Sequence, residues 1–362
     1  MARRVAFPPL GVLSLVAEKY LQVLGTEVVS TPPVSRRTLD IGIQHTPEML
    51  CIPCKLLFGS YLEAAERGAT ELVMLGGAGT CRLGYSALQH ARQLRALGFD
   101  VRVHTLDLYH VHRDLLRLTR AFSGGRPLRE LLTPIRFLLG LLELTDAIET
   151  ETLRLRPREC VPGATDAARV RALEQVARLQ NYRELKAEQD AILDLLRRVE
   201  HEPDRPVLRI GLVGDVYTIL TPFLNHNLER ELARMNVEVR RWFHYTGRIV
   251  PPLPAWLRRD RRARARLAGK RYLKRDVGGF ARSAVGEAAL MAQEGEVDGL
   301  IHVAPFNCTP ELVAQSALVA LHRDRGMPVL NLLFDEQTGR AGVLTRLEAF
   351  VDMLWTARRA RG

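Results

Sequence analysis

Short apolar runs that stop at a glycine or proline, each leading toward a helical stretch, constrain this chain more than any other feature. ELVML (Glu71–Leu75) ends at Gly76, VLRIGLV (Val207–Val213) at Gly214, and GLIHV (Gly299–Val303) runs on to Pro305; VLNLLF (Val329–Phe334) gives way to DEQTG. Such runs read as strands buried on both faces, as in a parallel sheet. Val5–Phe7, Val101–Leu106 and Val237–Phe243 supply further strand patterns. Helical spacing covers Lys55–Arg67, Tyr85–Leu97, Pro222–Met235, Val285–Glu294, Glu311–Arg325 and Leu344–Ala357. Strands and helices in alternation imply doubly wound α/β layers.

Between the two alternating blocks the texture changes. Long helical stretches, Arg129–Thr150 and Ala167–Val199, flank a break at Pro157–Gly163. The expected architecture is α/β, with two Rossmann- or flavodoxin-like parallel-sheet domains at 1–113 and 205–362 and a helical insert at 114–204 between them. A chain of 362 residues is long enough for more than one core.

Five cysteines with no even, closely spaced framework argue against a disulfide-stapled secreted protein and for a reducing cytoplasm. MARRVAF loosely imitates a signal peptide, but Pro8 and Pro9 break the apolar stretch and Glu18 and Lys19 follow, so a first strand is expected there. The longest apolar candidate for a membrane span, Phe137–Leu142, stops at Glu143. The net charge of +11 is concentrated in Arg258–Arg275, where ten Lys and Arg face the single Asp260. With one aromatic, Tyr272, and no nucleic-acid motif beside it, this segment reads as a solvated basic helix rather than a nucleic-acid surface.

Chemistry is sought at the cysteines. Cys51 and Cys54 (CIPCK) open a helical stretch, Cys81 (GGAGTCRLGY) follows one strand, and Cys308 (HVAPFNCTPE) follows another. Loops at the carboxyl ends of strands in open α/β sheets converge on a crevice, so these four thiols are expected to meet between the domains. Three readings stay open on the residues alone: an iron–sulfur cluster, a zinc site, or a metal-free redox pair at Cys-x-x-Cys. Cys160, in RECVPG, is read as incidental, and His110 and His112 as a solvated loop. GGAGTCR departs from both phosphate-loop spacings, since Arg82 stands where the last glycine of G-x-G-x-x-G belongs. Gly77 and Gly79 are instead expected to let backbone N–H groups approach a cluster, with Lys55 and Arg82 offsetting its charge.

CIPCKLLFGSYLEAAERGA, MLGGAGTCRLGY, GLVGDVYTILTPFLN, VAPFNCTPE and LLFDEQTGRAGVLTRLEAFVDML, in that order, resemble the 2-hydroxyacyl-CoA dehydratase-like family, and within it the branch related to CoA-substrate-specific enzyme activases. The resemblance spans Leu39–Leu354 and is thinnest over the helical insert. It implies stacked Rossmann-like domains around a [4Fe–4S]-type cluster, with Cys51, Cys54, Cys81 and Cys308 as its ligands. It further implies an ATP-hydrolysing activator as electron donor, a CoA thioester as substrate and a homo- or hetero-oligomer. Four thiolates saturate a [4Fe–4S] cluster and leave no open iron, which favours low-potential electron transfer over dehydration of a 2-hydroxyacyl-CoA. The dehydratase subunit and a zinc-stabilised scaffold without redox chemistry are the competing expectations.

Overall fold

The computed structural model of the chain describes residues 3–76, 79–107, 110–249 and 261–360. Strands β1 (Arg4–Ala6), β2 (Glu27–Val28), β3 (Glu71–Gly76) and β4 (Arg102–Asp107) form an all-parallel sheet in the order β2-β1-β3-β4. Helix α1 (Val12–Val23) leads from β1 to β2, and α2 (Arg36–His45) and α3 (Ile52–Glu66) lead on to β3. Helix α4 (Leu83–Ala96) then connects β3 to β4, and α5 (Val111–Phe122) follows β4. Every residue of β3 is buried, as its unbroken apolar run requires. Two elements escape the sequence pattern: β2 has only two residues, and α2 is largely polar. His110 and His112 lie at the start of α5 rather than in a loop, with the His110 ring 2.8 Å from Asp107.

Helices α6 (Leu128–Leu155), α7 (Ala164–Arg178) and α8 (Tyr182–Arg197) form the insert. The expected single helix over 167–199 is two helices. Asn181 interrupts it by accepting the Glu184 N–H at 3.0 Å, so a cap competes with continuation. Helix α6 packs on α1 of the first layer and on β6 (Val237–Arg241) of the second. There Glu149 bonds Arg169 of α7 at 2.6 Å and Arg241 of β6 at 3.0 Å.

The second sheet, β5 (Leu208–Gly214), β6, β7 (Gly299–Pro305) and β8 (Val329–Phe334), repeats the design as β6-β5-β7-β8, again all parallel. Its helices are α9 (Val216–Leu220), α10 (Leu228–Arg234), α11 (Tyr245–Ile249), α12 (Arg261–Tyr272), α13 (Ala281–Glu294), α14 (Thr309–Arg325) and α15 (Arg340–Arg359). The helix expected from Pro222 begins only at Leu228, because His226 and Asn227 take left-handed backbone conformations. Of the basic segment, 258–260 lie outside the described residues. The remainder builds α12, whose Arg261 and Arg264 pair with Glu287, Glu294 and Glu296, and whose Arg271 pairs with Asp324. Part of its charge is therefore matched. Among the described residues, no helix is long and apolar enough to cross a membrane.

In both sheets the chain first steps to one side of its opening strand and then returns to the other. The topological switch points thus lie between β1 and β3 and between β5 and β7. Ligands of open α/β sheets bind at the carboxyl ends of strands at such points.

Candidate metal centre

The helix α3 presents two cysteines. Cys51 is its N-cap and Cys54 sits in its first turn, inside the helix rather than before it as the sequence pattern placed them. Pro53 presets the backbone of that turn and gives up no bonded donor. The Cys54 N–H donates to the Cys51 carbonyl at 2.9 Å. The Cys51 and Cys54 sulfurs share a hydrogen bond at 3.5 Å. The position of α3 is set by glycines at the crossing with α2. A Cβ on Gly42 would overlap the Lys55 carbonyl, and one on Gly59 the Thr38 carbonyl, so the two helices approach backbone to backbone. That contact leaves Cys51 only 8% exposed and Cys54 fully enclosed.

Cys81 follows β3, one residue ahead of the N-cap of α4, and Cys308 follows β7 as the N-cap of α14. Both are half-buried. The Cys81 loop leans on the second half of the chain: Gly79 pairs with Gly278, and the Thr80 hydroxyl donates to the Val277 carbonyl. Gly79 has φ 65°, and a Cβ there would meet the Gly278 backbone, so both conformation and space call for glycine. A Cβ on Gly279 would lie 3.2 Å from Pro310 and 4.0 Å from the Cys81 Cβ, which sets Cys81 beside the start of α14. The four thiols thus come from three helix starts at the facing switch points. The partial positive charge of those first turns favours thiolate.

Their electrostatics are shared. The Cys54 thiol is pushed well up, first by its hydrogen bond with Cys51, then by burial and by the charges of Cys51, Cys81 and Cys308. Cys51 moves the other way, held down chiefly by that same hydrogen bond, with Arg82 assisting against burial. Burial pushes Cys81 up to about 12 and Cys308 higher still, and Asp215 and Glu311 reinforce both shifts. Cys160 is exposed beside Arg205 and takes no part.

Four further groups, none of them legible as site residues in the sequence, surround the thiols. Asp215 follows β5 and accepts the Thr218 N–H at 2.8 Å and its hydroxyl at 2.7 Å. Its residue retains some exposure, yet burial of the carboxyl, with Glu311 assisting, raises it to about 6 despite those bonds. Tyr217, two residues on, is buried with its hydroxyl unbonded. Glu311, three residues past Cys308, lies 3.0 Å from the Nε2 of His302, whose Nδ1 is 3.0 Å from Asn331. An imidazole inside the otherwise apolar run GLIHVAP was the available signal for this buried pair.

The remaining expected residues divide. Arg82 acts on Cys51 while its guanidinium bonds the Met49 carbonyl. Lys55, 2% exposed, is committed to Glu336 after β8 at 2.6 Å, so its charge ties α3 to the second sheet. Gly77 lies outside the described residues. Neither a family model nor a curated protein matches the sequence.

Proposed function

We propose that the chain holds a [4Fe–4S]-type cluster on Cys51, Cys54, Cys81 and Cys308 and serves in low-potential electron transfer. The observation that carries this reading is the convergence of four thiols from both sheets on one site. Their donor set fits the group: only sulfur is offered, at three helix starts that favour thiolate. The Cys51 and Cys54 sulfurs, 3.5 Å apart, would have to separate to seat on two irons of one cluster. Among the described residues, no three of His, Cys, Asp and Glu are arranged around a single metal position. The five segments resembling the 2-hydroxyacyl-CoA dehydratase-like family point the same way, and with them to an ATP-hydrolysing activator as electron donor.

When bound, such a cluster stores and releases one electron. The chain's own residues then set how readily it does so. Asp215 and Glu311 place acidic groups beside the thiols, and negative charge nearby disfavours an added electron, which suits a low potential. Arg82 opposes them at Cys51. Enclosure of Cys54 keeps water from that corner.

Anaerobically purified protein is expected to be brown, to absorb near about 400 nm, and to carry about four iron and four sulfide per chain. Cys81→Ser and Cys308→Ser should lower that content, and Cys160→Ser should not. Colourless protein carrying zinc would overturn the reading. Turnover of a 2-hydroxyacyl-CoA with activator, ATP and reductant would replace electron relay by dehydration.

A further inference from the structure

A cavity of about 150 Å³ opens where the three parts of the chain meet. Gly11, just before α1, lines it from the first sheet's side, and Arg169 of α7 from the insert, joined by Arg156 just after α6. Arg230 of α10 and Arg241 of β6 line it from the second sheet's side. None of the site cysteines is in its wall.

The charges around it form one network. Arg156 and Arg230 both pair with Asp166, at 2.7 and 2.9 Å. Arg169 and Arg241 both pair with Glu149, at 2.6 and 3.0 Å, and Arg241 also pairs with Glu229 at 2.6 Å. Four guanidinium groups thus share three carboxylates, which leaves one positive charge over. Asp146 does not supply the missing negative charge to this wall, since it lines an adjoining cavity and is taken up by the Tyr245 and Thr246 N–H groups. Arg156 and Arg241 are largely enclosed, whereas Arg230 is 48% exposed and gives the network its opening to solvent.

The wall also carries a donor with nothing to bond. Tyr245 is buried, and its hydroxyl has no hydrogen-bond partner among the described residues. A Cβ on Gly11 would lie 3.5 Å from that hydroxyl. Gly11 lines this cavity and not the adjoining one, so the hydroxyl end of the ring borders the arginine network. Gly11 itself has φ 56°, which keeps a side chain out of that place. Native folds leave a buried polar atom unpaired mostly where a ligand or water completes it. The guanidinium fork matches the oxygens of carboxylate and phosphate.

We propose that this cavity binds a small oxyanion, a phosphate or a carboxylate, drawn by the uncompensated arginine charge and accepting the open Tyr245 hydroxyl. The proposal does not depend on the cluster reading.

The test is isothermal titration calorimetry of the full-length protein at constant ionic strength in chloride, with inorganic phosphate in one arm and acetate in the other. Saturable binding of about one ion per chain is expected. Phosphate alone would identify a phosphoryl ligand, acetate alone a carboxylate, and either supports the site. Tyr245→Phe should weaken binding about tenfold, since it removes a bond to a charged group. Arg230→Gln should weaken it at least as much. Arg266→Gln, in a different arginine-lined cavity, should leave it unchanged. Without the anion, Tyr245→Phe should unfold no earlier than wild type, and in saturating anion it should unfold earlier. Absence of saturable binding in both arms, binding unchanged in Tyr245→Phe or Arg230→Gln, or binding lost in Arg266→Gln would overturn the proposal. Should Arg230→Gln fail to fold, the other two variants decide.

Discussion

Asp215 illustrates how one side chain is set by its surroundings. Burial raises its carboxyl to about 6, against bonds from Thr218 that lower it. An unfolded aspartate ionises near about 3.9. Folding therefore favours the protonated form, and the stability this group supplies is complete below the unfolded value and fades as pH rises through the folded one. In metal-free protein, Asp215→Asn should thus be more stable than wild type at pH 7.5 by about 1–2 kcal/mol, a figure reduced for its partial contact with water. At pH 4 the two should coincide. Urea unfolding at both pH values measures the gap, and a gap that does not change with pH would count against a carboxylate ionising under strain.

Among the elements, α6 carries the largest single burden, because Glu149 bridges α7 and β6 from within it. Burial opposes ionisation of Glu149, but Arg241 and Arg169 outweigh it and hold the carboxyl below its ordinary range. Glu149→Ala should cost about 1.5–3 kcal/mol at pH 7, because Arg169 loses its partner while Arg241 keeps its two bonds to Glu229. Here the sign reverses relative to Asp215. The contribution is present above the usual carboxylate value of about 4.3 and is lost as pH falls through the depressed folded one, so the gap between variant and wild type in urea unfolding should narrow in acid. At this scale the sequence was legible where burial was complete on both faces, as in β3 and β7. It was not legible where a local bond overrode periodicity, as at Asn181, or where an element was too short to have a period, as with β2. The cysteines were legible because the residue is scarce. Asp215 and Tyr217 were not, since only the tertiary fold brings the end of β5 near the cysteines.

For the whole molecule, the two sheets are joined at the site itself. Lys55 stands on the helix that bears Cys51 and Cys54, and it is paired with Glu336 from the far sheet with almost no exposure of its own. Lys55→Met alone should leave Glu336, a partly exposed group, at modest cost. Glu336→Leu should strand a buried ammonium and destabilise by about 3–5 kcal/mol. The double variant Lys55→Met/Glu336→Leu should recover most of that loss. Chemical unfolding of the three variants tests the order. A double variant as unstable as Glu336→Leu would mean that the pair has no mutual dependence.

The division of the thiols between the halves also bears on biogenesis. Cys51, Cys54 and Cys81 leave the ribosome more than two hundred residues ahead of Cys308. At about 5–20 residues per second, translation holds that trio without its fourth member for roughly 10–45 s. During this interval the Cys51 and Cys54 sulfurs, 3.5 Å apart in the finished fold, are each other's nearest reactive partners. A nascent chain in an oxidising setting is therefore open to closing that pair before Cys308 joins it, and a cluster held on all four thiols would have to be delivered after the carboxyl-terminal half folds.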